Sequence, residues 1–235
     1  MSVRTVILCG GKGTRAYPQT ATVPKPLLEV AGQPVVRRVM EIYAAHGFTD
    51  FVLAAGYKKD LLDEFAKNLD EPWNVEVVDT GEDTNTGGRV RAIADLVDDT
   101  FFVTYSDGLG DVDLQASLDF HQSHAGCATM TVVPLPSQYG TVEFEGDGRV
   151  VGFKEKPKLP DHYINAGFFV MDHHCFEKWP TPGEDLERDV LPAFGAHGDL
   201  YVYKHPGFWK SMDTYKDALE LTALCDDGSM PWMRV

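Results

Sequence analysis

The sequence has few cysteines and no long apolar run. Its 235 residues include four cysteines, Cys9, Cys127, Cys175 and Cys225, and no two of them stand in a Cys-x-x-Cys pair. This spacing excludes the usual zinc patterns and a disulfide framework, and it indicates thiols kept in a reducing compartment. No segment approaches the ~20 apolar residues of a membrane span, and the run 6–9 is too short for a signal peptide. We expect a cytoplasmic protein without a membrane partner.

Basic side chains are also scarce. Lysine and arginine total 21 against 36 aspartates and glutamates, which gives a net charge of −15. This balance disfavours a nucleic-acid-binding protein, because such proteins carry a basic face. A polyanionic substrate would need a local cluster of cations. The composition, 43% hydrophobic and 24% charged, is that of a folded protein, and the length fits one large domain or two small ones.

Three common fingerprints of nucleotide-binding and hydrolytic proteins are missing. The sequence contains neither the Gly-x-Gly-x-x-Gly dinucleotide motif nor the Gly-x-x-x-x-Gly-Lys-Ser/Thr phosphate loop,. It also lacks the Gly-x-Ser-x-Gly elbow of α/β-hydrolases,. A dehydrogenase, a P-loop NTPase and an α/β-hydrolase are therefore all disfavoured.

Strand-like and helix-like segments alternate along the chain. Apolar runs at 5–8, 51–55, 74–79 and 100–105 predict strands, and apolar residues at helical spacing predict helices at 34–46, 58–69, 88–97 and 214–225,. This alternation predicts an α/β fold built from parallel β-α-β units, with helices on both faces of the sheet. We expect the later strands, at 140–144, 149–153 and 168–171, to join that sheet as antiparallel additions. Ligands of such sheets bind beyond the carboxyl ends of the parallel strands.

A glycine-rich segment, Gly-Gly-Lys-Gly-Thr-Arg at 10–15, follows the first predicted strand directly. Glycines let a backbone approach a ligand closely, and successive N–H groups can form an anion-binding nest. Arg15 adds a fixed cationic fork. The alternative interpretation is an ordinary tight turn between a strand and a helix.

Other polar residues stand at positions where a ligand would bind. Lys25 lies between two prolines, which predicts an extended, stiff backbone that suits a phosphate contact; a surface loop lysine is the alternative. Asp107 ends the fourth predicted strand. Asp213 precedes the last predicted helix, and its alternative role is the N-cap of that helix. Glu155 and Lys156 follow a predicted strand and precede a proline.

Taken in order, these segments resemble the sugar-1-phosphate nucleotidylyltransferases along nearly the whole chain. The order is Gly-Gly-x-Gly-Thr-Arg, then Pro-Lys-Pro at 24–26, then Asp-Gly at 107–108 and Glu-Lys-Pro at 155–157. The chain is most similar to one branch of that family, the glucose-1-phosphate cytidylyltransferases. The segments that carry this closer similarity are Glu-Pro-Trp-Asn-Val at 71–75, Thr-Gly-Gly-Arg at 86–89, Ile-Asn-Ala-Gly at 164–167, Pro-Gly-Phe-Trp at 206–209 and Met-Asp-Thr at 212–214.

The resemblance implies a fold and a reaction. The fold would be a Rossmann-like three-layer α/β/α sandwich around a mixed, mostly parallel sheet. A single nucleotidyltransferase domain would span 1–235, with a nucleotide-binding part at about 1–112 and a sugar-binding part at about 113–235. The reaction would join an NTP and a sugar 1-phosphate into an NDP-sugar and pyrophosphate, with Mg²⁺ as cofactor.

The resemblance also implies a role for each residue that matches a motif. Arg15, Lys25 and Lys156 would be catalytic cations, and Asp107 and Asp213 would hold Mg²⁺. The residues implied for nucleotide binding are Leu8, Gly10, Gly11, Gly13, Thr14, Arg15, Lys25, Gly87, Gly88 and Arg89. The residues implied for sugar binding are Tyr139, Gly140, Glu155, Lys156 and Asn165.

Several alternatives stay open. CTP and glucose 1-phosphate are favoured, but dTTP, UTP or GTP with another sugar 1-phosphate would use the same residue types. The residues just before Gly140 differ from the glucose-specific branch, so the sugar could be another hexose, a heptose or an amino sugar. A sensor of nucleotide sugars without turnover is a third alternative, although every expected cation and metal-binding acid is present. The link at 68–70 is shorter than in that branch, which leaves a homo-oligomer an open question.

Overall fold

A computed structural model describes residues 3–137 and 139–233. Its strands are β1 Thr5–Leu8, β2 Glu29–Val30, β3 Gln33–Pro34, β4 Asp50–Ala55, β5 Asn74–Asp79, β6 Thr100–Tyr105, β7 Gly108–Gly110, β8 Ala128–Pro136, β9 Thr141–Phe144, β10 Val150–Lys154, β11 Lys158–Asp172, β12 Leu200–Lys204 and β13 Trp209–Ser211. Its α-helices are α1 Val35–Ala45, α2 Lys59–Lys67, α3 Thr86–Ala92, α4 Leu114–Gln122, α5 Leu191–His197 and α6 Tyr215–Asp226. A π-helical turn, Leu186–Val190, leads into α5.

Seven strands form the central sheet, in the order β12-β8-β11-β6-β1-β4-β5. β1 pairs in parallel with both β4 and β6, and the pairs β4–β5 and β8–β12 are also parallel. β11 is antiparallel to both of its neighbours, β6 and β8. The sheet is therefore mixed and mostly parallel, which confirms the predicted fold class.

The position of β1 inside the sheet explains why its sequence, Thr-Val-Ile-Leu, is almost entirely apolar. Successive side chains of a strand point to opposite faces, so a strand covered on both faces needs apolar residues at every position. Ile7 packs into a core that includes residues of α1, α2, α4 and α6, whereas Val6 packs into a second core with residues of α3 and α5. Both side chains are fully buried. Helices thus cover the two faces of the sheet, as a three-layer sandwich requires.

The sequence prediction was wrong about the segments that became β9 and β10. They do not join the central sheet but form a two-stranded antiparallel ribbon of their own. The physical reason is that β8, the strand before them, already has β11 on one side and β12 on the other. The ribbon leaves Val142, Phe144 and Phe153 exposed to solvent.

The N-terminus of the last helix excludes the alternative role of Asp213 as its N-cap. Thr214, and not Asp213, is the N-cap of α6: its side chain accepts from the backbone N–H of Asp217, and the Asp217 carboxylate accepts from the backbone N–H of Thr214. This reciprocal pair is a capping box, which satisfies two backbone donors at once. The Asp213 side chain is thereby free for other contacts.

The four cysteines are free thiols, and three of them are buried. Within residues 3–137 and 139–233, no helix is both long and apolar enough to cross a membrane.

Candidate active site

A cavity of about 600 Å³ opens at the carboxyl ends of β1 and β6. From β1 the chain adds β4 and β5 on one side, whereas β6 pairs with the other side of β1. The order of strands therefore reverses at β1, and such switch points are where α/β sheets bind ligands. Eleven of the predicted site residues line the cavity: Leu8, Gly10, Gly11, Gly13, Thr14, Arg15, Lys25, Arg89, Asp107, Asn165 and Asp213.

The glycine loop after β1 is shaped by its contacts. Gly13 has a φ of 61°, in the left-handed region where a side chain is disfavoured,. Its carbonyl accepts hydrogen bonds from the Thr20 hydroxyl at 3.1 Å and from the backbone N–H of Ala16 at 2.9 Å. A Cβ at Gly13 would also press on the Lys25 side chain, at 2.8 Å from its Cβ. The loop and Lys25 are thus packed as one unit.

Arg89 lies under the same loop and is 3% exposed. Its guanidinium donates to the carbonyls of Gly10 and Ala55 at 3.0 Å each and to that of Gly81 at 2.8 Å. It also donates to the Thr80 hydroxyl at 2.7 Å and to the Glu82 carbonyl at 3.2 Å. A side chain on residue 10 would overlap the guanidinium, which explains the glycine there.

The positive charge of Arg89 is stabilised mainly by the dipoles of backbone carbonyl groups. Within the described ranges, no carboxylate oxygen lies within 4.0 Å of its guanidinium. Burial lowers the pKa of Arg89 from its ordinary value, although an arginine remains protonated at neutral pH,. A positive charge without an acidic partner is thus held against the loop that the sequence predicts for the triphosphate.

Lys25 is a second cation of the cavity with little freedom to move. Its side chain is only 11% exposed, and its ammonium donates to carboxylate oxygens of both Asp107 and Asp213, the latter at 2.9 Å. Arg15 also contacts Asp213, with 3.1 Å between Nη2 and Oδ1. Lys25 begins a single 3-10 turn closed by a hydrogen bond from Leu28 N–H, so its backbone is not extended as predicted. The alternative of a surface lysine is wrong, because the side chain is buried.

These contacts shift the titration of Asp213. Burial opposes the ionisation of its carboxyl group and is the largest single influence. The hydrogen bond and charge of Lys25, together with Arg15 and the Ser211 hydroxyl, outweigh that influence and lower the pKa of Asp213 below its ordinary value. The carboxylate is therefore charged at neutral pH.

A small antiparallel ribbon that the sequence did not predict brings the two aspartates together. β7 follows Asp107 directly and pairs with β13, which precedes Asp213. The carbonyl of Asp107 accepts from the backbone N–H of Met212 at 2.8 Å. Both carboxylates thereby face the same ammonium, although they lie 106 positions apart in sequence.

Six predicted residues do not line the cavity. Gly87 and Gly88 pack against the loop at 183–184, with Gly88 N–H donating to the Glu184 carbonyl at 3.0 Å, and a Cβ at Gly87 would lie 2.7 Å from the Gly183 carbonyl. The other four are on or beside the exposed ribbon: Tyr139, Gly140, Glu155 and Lys156. Among these, Lys156 has a φ of 45°, a left-handed conformation that is uncommon for a residue with a side chain,.

The cavity is also lined by polar residues to which the sequence analysis assigned no role. Tyr105 ends β6, Thr86 begins α3, and Glu187 lies on the π-helical turn; Trp209 and Ser211 come from β13. Tyr105 and Ser106 stand beside Asp107 in the sequence. The signal that could have identified these two residues was their position at the end of an apolar strand. Nothing local distinguishes Glu187 from the surface acids around it.

The whole chain is similar to known proteins. A family model described as nucleotidyl transferase matches residues 4–227. A glucose-1-phosphate cytidylyltransferase of Salmonella typhi is 35% identical, and the match covers 98% of each chain. A mannose-1-phosphate guanyltransferase of Emericella nidulans is 33% identical over 94% of this chain and 64% of the fungal protein.

A solved structure has the same fold. The crystal structure of HddC from Yersinia pseudotuberculosis superposes with a TM-score of 0.73 over 94% of this chain and 98% of that chain, at 23% identity. At this level of identity the likeness shows the fold alone.

The buried position of Lys25 generates a prediction about stability. Lys25→Met keeps the apolar stem but leaves Asp107 and Asp213 facing each other without their shared cation. We expect a loss of about 2–3 kcal/mol in the free energy of unfolding at pH 7, near the lower end for breaking a buried pair because the aspartates keep some exposure. Denaturant unfolding monitored by circular dichroism measures it.

The pH dependence of that loss has a definite sign. The pKa of Asp213 is lowered in the folded protein, so the stability it gains from Lys25 is present above the ordinary aspartate value of ~3.9 and disappears as pH falls through the lowered value,. The gap between variant and wild type should shrink from pH 7 to pH 3. Lys59→Met is the control, because it breaks only a helix-surface pair with Asp63. A gap that stays constant over this range would contradict the prediction.

Proposed function

The chain belongs to the nucleotidyl transferase family as a sugar-1-phosphate nucleotidyltransferase, and we propose that it joins CTP and glucose 1-phosphate, or a close analogue, into a CDP-sugar and pyrophosphate. The observation that supports this best is the cavity itself. A chain with a net charge of −15 concentrates Arg15, Lys25 and Arg89 around a glycine loop at one switch point of its sheet. Such a cluster suits a triphosphate.

Charge repulsion is the main obstacle to the reaction. A phosphate oxygen of the sugar 1-phosphate attacks the α-phosphorus of the NTP, and the bond from that phosphorus to the bridging oxygen of the β-phosphate breaks as pyrophosphate leaves. Two unit charges 4 Å apart repel by about 4 kcal/mol at an effective dielectric constant of 20. The nucleophile is already ionised, so no general base is needed. Catalysis then consists of positioning the reactants and neutralising their charge.

Each of the three cations has a position that suits a different part of this neutralisation. Arg89 is fixed under the glycine loop and adds a positive field where the triphosphate would bind. Lys25 lines the cavity between Asp107 and Asp213, where its ammonium can exchange carboxylate contacts for contacts with phosphate oxygens. Arg15 is 74% exposed along its side chain, so it can reach phosphates at the mouth of the cavity.

The residues present fit a divalent cation. Asp107 and Asp213 both direct carboxylate oxygens at a single positively charged atom, the Nζ of Lys25, so their geometry already surrounds a cation. Mg²⁺ takes oxygen ligands and is commonly held by one or two carboxylates together with substrate phosphates. Asp107 and Asp213 would hold the ion, which supplies charge neutralisation at the α-phosphate when bound.

The choice of CTP rests on sequence similarity and on main-chain groups. The Salmonella relative is a cytidylyltransferase that matches end to end, whereas the fungal guanyltransferase is matched over 64% of its length. The carbonyl of Gly10 already accepts from Arg89 and from Tyr57 N–H, so its own N–H is the group left to contact a base. GTP, UTP and dTTP remain the alternatives.

The sugar would meet residues of the exposed ribbon. A left-handed φ at a residue with a side chain costs about 1 kcal/mol or more, and such conformations cluster at functional sites. Lys156 has this conformation immediately after Glu155. We propose that it holds the phosphate of the sugar 1-phosphate, and that Tyr139, Gly140, Glu155 and Asn165 contact the sugar.

The proposed substrates are tested by measuring pyrophosphate release. We expect the highest kcat/KM for CTP with glucose 1-phosphate when four NTPs are crossed with glucose, mannose, glucosamine and heptose 1-phosphates. A higher efficiency with GTP, UTP or dTTP would overturn the choice of base, while turnover with none would favour the sensor alternative.

The metal generates a second prediction. We expect turnover to vanish with excess EDTA and to return with Mg²⁺. Because the Lys25 ammonium already occupies the space between the two carboxylates, Lys25→Met should bind Mn²⁺ at least about 10-fold more tightly than wild type without nucleotide. Electron paramagnetic resonance of free Mn²⁺ measures this affinity.

The control for this experiment is Lys12→Met. Lys12 belongs to the glycine loop that packs on Lys25. It pairs with Glu82 and Asp83 at 3.2 Å each, and not with Asp107 or Asp213. Lys12→Met removes one positive charge from the neighbouring loop but leaves the Lys25 ammonium between Asp107 and Asp213. Equal tightening in both variants would mean that Lys25 does not occupy the metal position.

The conformation of Lys156 generates a third prediction. Lys156→Gly relieves the left-handed strain and removes the ammonium, so we expect an unchanged or raised melting temperature together with at least a ~100-fold loss of kcat/KM, about 2.7 kcal/mol. Lys58→Gly is a matched control, because Lys58 has a φ of 53° at the start of α2 and does not line the cavity. Near-normal turnover of Lys156→Gly would remove Lys156 from the site.

A further inference from the structure

One carboxylate of the cavity has no role in the chemistry described above. Glu187 comes from the π-helical turn, and its backbone is fixed because the Asp185 side chain accepts from Glu187 N–H at 3.0 Å and from Arg188 N–H at 2.8 Å. The side chain lines the cavity and remains exposed to it. It is therefore a positioned acid at the ligand-binding surface.

Two hydroxyl groups orient this carboxylate. Tyr105, at the end of β6, donates its phenolic hydrogen to one oxygen, and Thr86, at the start of α3, donates its hydroxyl to the other at 2.8 Å. Asn165, on β11, in turn donates to the Tyr105 hydroxyl at 3.1 Å. Each carboxylate oxygen can accept a second hydrogen bond. Acceptor capacity for a ligand thus remains on an acid whose orientation is already set.

The charge of Glu187 is not neutralised by the protein. In the described part of the chain, no lysine, arginine or histidine nitrogen lies within 4.0 Å of it. Asp107 and Asp213 differ in this respect, because both share the Lys25 ammonium. The pKa of Tyr105 is raised, first by burial and then by the negative charge of Glu187, so its phenol stays a donor.

A carboxylate with no cation beside it is unfavourable close to a polyanion, unless it faces another part of the substrate. The hydrogen-bonded series Asn165–Tyr105–Glu187 begins on β11 and β6, on the side of β1 opposite β4 and β5. Glu187 also contacts Thr86, three residues before Arg89 on α3, so it lies between that side and the region that we propose for the nucleotide. Because we place Asn165 at the sugar, a sugar ring would lie at the Asn165 end of this series. Ring hydroxyls and amino groups are donors that a carboxylate accepts from, whereas a second anionic group would be repelled.

We propose that Glu187, oriented by Tyr105 and Thr86, is a specificity-determining residue that admits sugar 1-phosphates with neutral or cationic ring substituents and rejects those with a second anionic group. This inference rests on the proposed function. Between the limits of water and a protein surface, a unit charge about 6 Å away changes affinity by roughly 3- to 100-fold, so we expect an effect of about 10-fold.

The test compares three substrates with one NTP. The kcat/KM values of glucose, glucuronic acid and glucosamine 1-phosphate are measured for wild type and for Glu187→Gln. We expect wild type to use glucuronic acid 1-phosphate poorly, and the variant to raise the glucuronate-to-glucose ratio about 10-fold while lowering the glucosamine-to-glucose ratio. Glu184→Gln is the matched control: it removes the same charge from a residue just before the π-helical turn that does not line the cavity, and both ratios should stay unchanged.

Other results would overturn the proposal. A purely structural Glu187 would lower all three efficiencies in parallel and leave the ratios unchanged. An altered CTP-to-UTP preference with constant sugar ratios would mean that Glu187 contacts the base. Equal use of glucuronic acid and glucose 1-phosphates by wild type would also contradict it.

A second variant and a second readout keep the test independent of folding and of turnover. Tyr105→Phe retains the ring that packs edge-on against Phe169 but loses the hydroxyl that orients Glu187, so we expect the same shift in ratios, only smaller. The thermal shift produced by each sugar 1-phosphate gives the same ranking without catalysis. Wild type without turnover on any substrate would contradict the proposed function, whereas turnover with unchanged ratios would contradict only the role of Glu187.

Discussion

The ammonium of Lys25 holds the candidate site together. It contacts Asp107, 82 positions away, and Asp213, 188 positions away, so that one positive charge fixes the loop after β1, the end of β6 and the start of α6. The Thr214 cap and the β7–β13 ribbon set the backbone on either side of these contacts. The cation between them compensates two partly buried carboxylates, and an uncompensated buried charge would be destabilising,. The same requirement makes this point suitable for a metal ion.

The second constraint is that an acidic protein must attract a triphosphate. A net charge of −15 repels anions at a distance, but screening limits that effect to about 8–10 Å at physiological salt,. Within this range the cavity presents Arg89, whose guanidinium donates to backbone carbonyls and to the Thr80 hydroxyl. Its position depends on Gly10, where a side chain would displace it. Local charge therefore matters more than total charge at this site.

The two halves of the site are built differently. The half that we propose for the nucleotide is formed by the end of β1 and the glycine loop after it, and β1 belongs to the packed sheet. The half that we propose for the sugar depends on β9 and β10, a two-stranded ribbon, and such ribbons are marginally stable alone,. Glu187 joins the halves through Tyr105 and Thr86. Sugar recognition in our proposals thus combines one fixed acid with residues carried on a more exposed element.

The sequence alone determined the α/β class, the strands β1, β4, β5 and β6, and the glycine loop, because apolar periodicity and glycine act through neighbouring residues of the chain. It also singled out Lys25, Asp107 and Asp213, but not that they contact one another. The separate ribbon, the carbonyl contacts of Arg89 and the orientation of Glu187 were decided by tertiary structure. Each of these depends on which distant segments pack together, since partners in an ion pair or hydrogen bond carry no mark of each other in local sequence.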